Sequence, residues 1–246
     1  MVEICCGSFE DAVSAYENGA DRIELNSALY LGGLTPSIGT VRMTKQHCPI
    51  PVICMVRSRG AGFYYSIREY DVMKEDCRAL LDEGADGIAF GFLQEDGTIE
   101  EERTREFVEL IHEYGKEAVF HRAVDCLTNI DSGIEQLITF GVDRILTSGG
   151  KSTALEGQEM IRGLQEQYGA RIEILPGSGI NARNVVDFMK RTGVRQIHSS
   201  CRDWKVDPTT ETEQVSFSYE KDGYRGSYEF VNGALVSELV QAVRRK

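Results

Sequence analysis

Gly19-Ala20-Asp21-Arg22-Ile23-Glu24-Leu25 decides how this chain folds, because its pattern returns. The order recurs at Gly84-Ala85-Asp86-Gly87-Ile88-Ala89-Phe90, with a close relative at Gly141-Val142-Asp143-Arg144-Ile145-Leu146. A degenerate copy stands at Gly193-Val194-Arg195-Gln196-Ile197. In each copy the glycine can take the left-handed conformation that closes a helix, and a strand-like run begins two or three residues later. Weaker relatives fill the gaps: Pro51 before residues 52–56, Gly115 before 117–120, and Gly169 before 171–175. With residues 2–5 at the start, eight strands are expected, beginning near 2, 22, 52, 87, 117, 144, 172 and 195.

Helical patterns lie between them. Ser66-Ile67-Arg68-Glu69 is a capping box, and apolar residues at 67, 70, 73, 77, 80 and 81 follow at helical spacing. Thr35-Pro36 reads as an N-cap before a proline at the first helical position, and Ser132-Gly133-Ile134-Glu135 repeats the box signature. Eight strand–helix units in 246 residues predict a single-domain α/β TIM (β/α)8 barrel. A doubly wound open sheet is the alternative, but no GxGxxG follows the first strand. After the eighth strand the pattern stops. Residues 202–214 read as a polar loop, and 215–219 and 228–231 as strands paired around Asp222-Gly223. These fall in an irregular segment of about 202–230, followed by a closing helix at about 232–245.

A formal charge of −12 argues against nucleic acid as a partner, since phosphates need a basic surface. No apolar run approaches the roughly 20 residues of a membrane span. Met1 leads straight into a strand, without the features of a signal peptide. The seven cysteines are odd in number and none forms a C-x-x-C pair, which argues against a disulfide framework and a closed zinc site. A cytoplasmic protein is expected, with Cys48, Cys54 and Cys77 as small core residues.

Strand residues alternate between the lumen and the helices. One parity reads Val2, Ile4, Ile23, Leu25, Val52, Cys54, Val56, Leu146, Ile172, Ile174 and Ile197, which suits the helix side. The other reads Glu3, Cys5, Arg22, Glu24, Asn26, Arg57, His121, Thr147, Glu173 and His198. Lumens of this fold are mostly filled by branched apolar residues, and unpaired buried charge is costly. A charged lumen therefore points to a site, expected at the C-terminal rim of the strands. The stretch Val119-Phe120-His121-Arg122-Ala123-Val124-Asp125 turns from apolar to ionisable at that rim, and its histidine suits proton transfer. Candidate catalytic residues are Glu3, Glu24, His121 and Asp125. Candidate anion-binding residues are Arg57, Arg122, Thr147, Ser148, Gly177, Ser178, Gly179, His198, Ser199 and Ser200, because the loops after strands seven and eight often hold phosphate.

Val2-Glu3-Ile4-Cys5, Gly32-Gly33-Leu34-Thr35-Pro36-Ser37, Phe120-His121-Arg122-Ala123, Leu146-Thr147-Ser148-Gly149, Pro176-Gly177-Ser178-Gly179 and His198-Ser199 resemble the CutC family, over residues 1 to about 202. The resemblance implies a cytoplasmic TIM barrel, a homodimer or higher homo-oligomer, with a role in copper homeostasis. It also implies Cu(I) held by two cysteines near the first two strand ends. Cys5 matches the first; the second position is Asn26, which offers no thiolate, whereas Cu(I) prefers sulfur. Two functions are therefore expected to compete. One is a copper-handling protein using Cys5. The other is an isomerase or lyase acting on a small anionic or phosphorylated metabolite.

Overall fold

The structure, a computed structural model, describes residues 1–219 and 223–245. Eight parallel strands alternate with helices: β1 (Val2–Cys6), β2 (Arg22–Leu25), β3 (Val52–Met55), β4 (Gly87–Phe90), β5 (Glu117–Phe120), β6 (Arg144–Thr147), β7 (Glu173–Pro176) and β8 (Ile197–Ser199). Around them lie α1 (Phe9–Glu17), α2 (Ile38–His47), α3 (Ile67–Asp82), α4 (Glu101–Glu113), α5 (Ile130–Phe140), α6 (Gln158–Tyr168), α7 (Val185–Thr192) and α8 (Gly233–Arg244). The fold is the expected (β/α)8 barrel, with strand starts within two residues of the predicted positions.

The glycines of the repeat have φ of +91°, +89°, +85° and +73° at positions 19, 84, 141 and 193, as a helix-closing role requires. The aspartate that follows has a role that spacing alone does not reveal. Asp21 Oδ2 accepts the N–H of Val2 at 2.7 Å, Asp86 Oδ2 that of Val52 at 2.9 Å, and Asp143 Oδ2 that of Ala118 at 2.8 Å. The three aspartate N–H groups donate back to the carbonyls of the same residues, at 2.8–3.0 Å. The residue before β2, β4 and β6 thus clamps the foot of the preceding strand, which satisfies an otherwise orphaned donor at the barrel base.

The fourth copy carries Arg195 in place of the aspartate. The hydrogen-bonded order runs β7-β6-β5-β4-β3-β2-β1-β8, so no ladder joins β7 to β8 among the described residues. The unit without the clamp is the one whose two strands do not zip. A side-chain bond from Gln196 Nε2 to Glu173 Oε2, at 3.1 Å, spans that seam.

Apolar residues divide into two sets. The large core lies between strands and helices and contains Cys48, Cys54 and Cys77, each fully buried. A small cluster of Ile53, Met55, Ala89 and Val119 fills the lumen on the β3–β5 side only. The capping box of Ser66 and Glu69 starts α3 as expected. Two other helix starts differ. Ser37, not Thr35, caps α2, because Thr35 is drawn away to bond Arg57. Asn129 caps α5 one turn ahead of the Ser132 box.

The tail also differs from expectation. Residues 202–206 are not a loop: β9 (Arg202–Val206) pairs antiparallel with β10 (Ser227–Val231). The expected partner at 215–219 is not the one used, and the turn expected at Asp222 lies outside the described residues. Trp204 stacks on Tyr224 at 4.7 Å, an aromatic contact that favours β9 as the partner. Among the described residues no helix is long and apolar enough to cross a membrane.

Candidate functional site

The lumen charges form two layers. The lower one lies at the strand N-terminal ends, where Arg22 and Glu173 each start a strand, opposite the rim at which the charged lumen residues were expected to gather. Arg22 Nε bonds Glu3, and its Nη2 bonds Gln196 at 2.8 Å. Arg144, 2% exposed, bonds Glu173 and Glu117, each at 2.8 Å. Arg144 starts β6 in the repeat position that Arg22 holds in β2, so the copies themselves carried a signal for it. It faces inward together with Leu146, which lines the central cavity rather than the helix side. Ile145 instead joins the outer core, so the alternation along β6 is one residue out of step with the expected reading.

The upper layer surrounds a cavity of about 330 Å³ at the strand C-terminal ends. Cys5, Glu24, Asn26, Arg57, His121, Arg122, Asp125 and His198 line it, with Met55, Phe63 and Leu146 as apolar wall. Glu3 lies beneath the cavity and joins the two layers. One oxygen takes Arg22, and the other takes His198 Nδ1 at 2.7 Å. Burial pushes the Glu3 carboxyl up, but Arg22 and then His198 outweigh it and hold it at about 2. Burial pushes His198 down, yet Glu24 and Glu3 raise it on balance.

Glu24 Oε2 accepts Asn26 Nδ2 at 2.9 Å and the Cys5 thiol at 3.5 Å. Burial raises the Glu24 carboxyl, opposed by His198. Burial and then the Glu24 charge push the Cys5 thiol well above its ordinary range. Ligand atoms of Cys5, Glu24 and His198 all lie within 4.8 Å of one another. Cys6 points to the helix-side core, as strand alternation requires.

On the neighbouring wall, just past the end of β3, Arg57 bonds the carbonyls of Leu31 (2.9 Å), Gly33 (3.1 Å) and Ala61 (2.5 Å) and stacks against Phe63. The Gly32-Gly33 pair explains why its motif is so particular. Both have φ above +80°, and a Cβ on Gly33 would lie 2.3 Å from Asn26 Oδ1, one on Gly32 2.9 Å from Arg57 Nη1. Thr35 Oγ1 then accepts the Arg57 N–H at 3.0 Å. The GGLTPS loop is thus a cover pressed onto Asn26 and Arg57.

His121 Nδ1 accepts the Ala123 N–H at 3.2 Å, which places the ring proton on Nε2. Burial and then the Arg57 charge pull its pKa down to about 3. His121 is therefore a neutral hydrogen-bond donor near pH 7 rather than a ready proton carrier.

Several expected anion ligands are already engaged. Asp125 accepts Thr147 Oγ1 (2.6 Å), Ser148 N (3.0 Å), Ser148 Oγ (2.9 Å), Gly150 N (3.0 Å) and Arg122 Nε (2.9 Å). Thr147 and Ser148 thus pin the loop after β6 instead of facing a ligand. Ser178 Oγ bonds Ser152 O and Ser199 Oγ bonds Ile180 O. Gly177 packs so closely on His198 that a Cβ would come within 3.1 Å of its ring. Ser200, Ser178, Gly179 and Arg122 border a second cavity of about 540 Å³ over the β7–β8 seam, which shares Cys5 and His198 with the first. Sequence reading missed Phe63, Gln196 and Arg144; only Arg144 had a signal.

Known proteins provide a comparison for this arrangement. The CutC family model matches residues 1–203. A CutC family protein of Treponema denticola is 46% identical over 210 residues, covering 85% of each chain. The copper homeostasis protein cutC homolog of Homo sapiens is 44% identical over 202 residues, 82% of this chain and 73% of that one. A CutC crystal structure from Streptococcus agalactiae superposes with a TM-score of 0.74 at 30% identity, covering 81% of this chain and 98% of that one. The matched range includes every residue of the cavity wall, and the barrel agrees with it: this chain belongs to the CutC family.

Proposed function

We infer that this protein takes part in copper homeostasis and holds a copper ion at Cys5, Glu24 and His198. The single observation that supports this is the convergence of one sulfur, one carboxylate and one imidazole within 4.8 Å. Sulfur and imidazole are donors copper favours, so the set fits the metal despite Asn26 at the second cysteine position. Copper is here the cargo. His198 Nδ1 is engaged by Glu3, which leaves Nε2 for an ion and supplies the carboxylate–histidine support common at metal sites. For soft Cu(I), Cys5 and His198 are the principal donors and Glu24 is secondary.

Anaerobic Cu(I) titration against a chromophoric competitor tests the assignment. One ion per chain is expected, with uptake lost in Cys5→Ser and strongly weakened in His198→Asn. Uptake that is absent, or that persists unchanged in Cys5→Ser, removes the reading.

A further inference from the structure

The half of the cavity facing Cys5 and Glu24 has no part in holding a metal. Its polar groups are nevertheless buried and incompletely bonded. His121 is 3% exposed, and its Nε2 has no hydrogen-bond partner among the described residues. Arg57 is 5% exposed, and its hydrogen bonds go to main-chain carbonyls, none of which neutralises its charge. Leaving a buried donor unmet costs about 1–3 kcal/mol, and a buried cation without an anion costs more. Both residues line the same cavity of about 330 Å³.

We propose that the Arg57–His121 wall binds the carboxylate of a small organic molecule, with His121 Nε2–H donating to one oxygen and Arg57 supplying the opposing charge. The rest of the wall favours this class over inorganic phosphate. Phe63, Met55 and Leu146 offer a short apolar stem a surface to pack on. Glu24, in the same cavity, opposes a dianion more than a singly charged carboxylate. Arg57 gives Nη1 to two loop carbonyls and Nη2 to one, while its buried Nε has no partner, which adds a second unmet donor to the same wall. The ligand and the metal therefore use different residues of one cavity, and neither requires the other.

The test uses the full chain freed of metal on a chelating resin, with butyrate as the probe and inorganic phosphate as the comparison. Nitrogen-15 NMR of the imidazole ring and calorimetry report binding. Butyrate is expected to bind saturably and to shift the His121 Nε2–H signal. Loss of the donor in His121→Phe should weaken binding about tenfold or more. His121→Gln, which restores a donor, should recover most of the affinity. The proposal is overturned if butyrate leaves the His121 signal unmoved, if phosphate binds there in its place, or if the Phe and Gln variants behave alike. Because metal is absent throughout, this result is separate from the copper titration.

Discussion

Asp86→Ala tests the strand clamp directly. In the folded chain Asp86 accepts the Val52 N–H at 2.9 Å and pairs with Lys45 and, at 3.4 Å, Lys116. Val52 is fully buried, so removing the acceptor strands a donor at the base of β3, at a cost of about 1–3 kcal/mol. The two lysine pairs are partly exposed and add about 0.2–1 kcal/mol each. The sum is about 1.5–5 kcal/mol. For a chain of this length that corresponds to a fall in Tm of roughly 3–20 °C. Urea unfolding at pH 7 should show a lower midpoint with an unchanged slope. Asp86→Asn keeps an acceptor for Val52 and should lose about half as much. The pH dependence has a definite sign. Burial raises the Asp86 carboxyl, but Lys45 and the Val52 N–H outweigh it and depress the pKa on balance. Its contribution is therefore complete above the unfolded value near ~4 and disappears as pH falls through the folded one. The gap between wild type and Asp86→Ala should close in acid. A cost below about 0.5 kcal/mol at pH 7, or a gap that widens in acid, refutes the clamp.

Other outcomes follow from the same geometry. Glu3→Gln takes away the charge that supports His198 and should weaken Cu(I) binding about 10–100-fold in the competitor titration. It also leaves Arg22 without its anion, and unfolding should report a loss of about 3–5 kcal/mol. Gly33→Ala forces a Cβ to 2.3 Å from Asn26 Oδ1 at φ +85°, so a stability loss of about 1–3 kcal/mol is expected in urea melts. Hydrogen exchange should find the amides of β7 and β8 that face the seam less protected than those of β3 and β4, which lie in a complete ladder.

Much of this was legible in the sequence. Helix-closing glycines before strand-like runs are local features, and the barrel and its strand starts follow from them. The charged lumen followed from alternation along β1 and β2. Alternation failed on β6, whose last residue, Thr147, gives its hydroxyl to Asp125, while Leu146 before it lines the cavity. It also placed Arg22 and Glu173 on the inner face, but each starts its strand and so lies at the end away from the rim. Whether a hydroxyl is free is not a local property: Ser148 and Ser199 have the chemistry of anion ligands but are engaged by partners distant in sequence. The same holds for His121, whose tautomer depends on the turn that follows it.

The missing fourth aspartate has a mechanical consequence. The barrel has a lengthwise slit, and β8, one lip of it, has its only strand ladder among the described residues with β1. Cys5 and Glu24 belong to the riveted pair β1–β2, whereas His198 rides on that lip. An ion gripped by all three would fasten the loose stave to the fixed ones, so loading the site and stiffening the wall become one thermodynamic event.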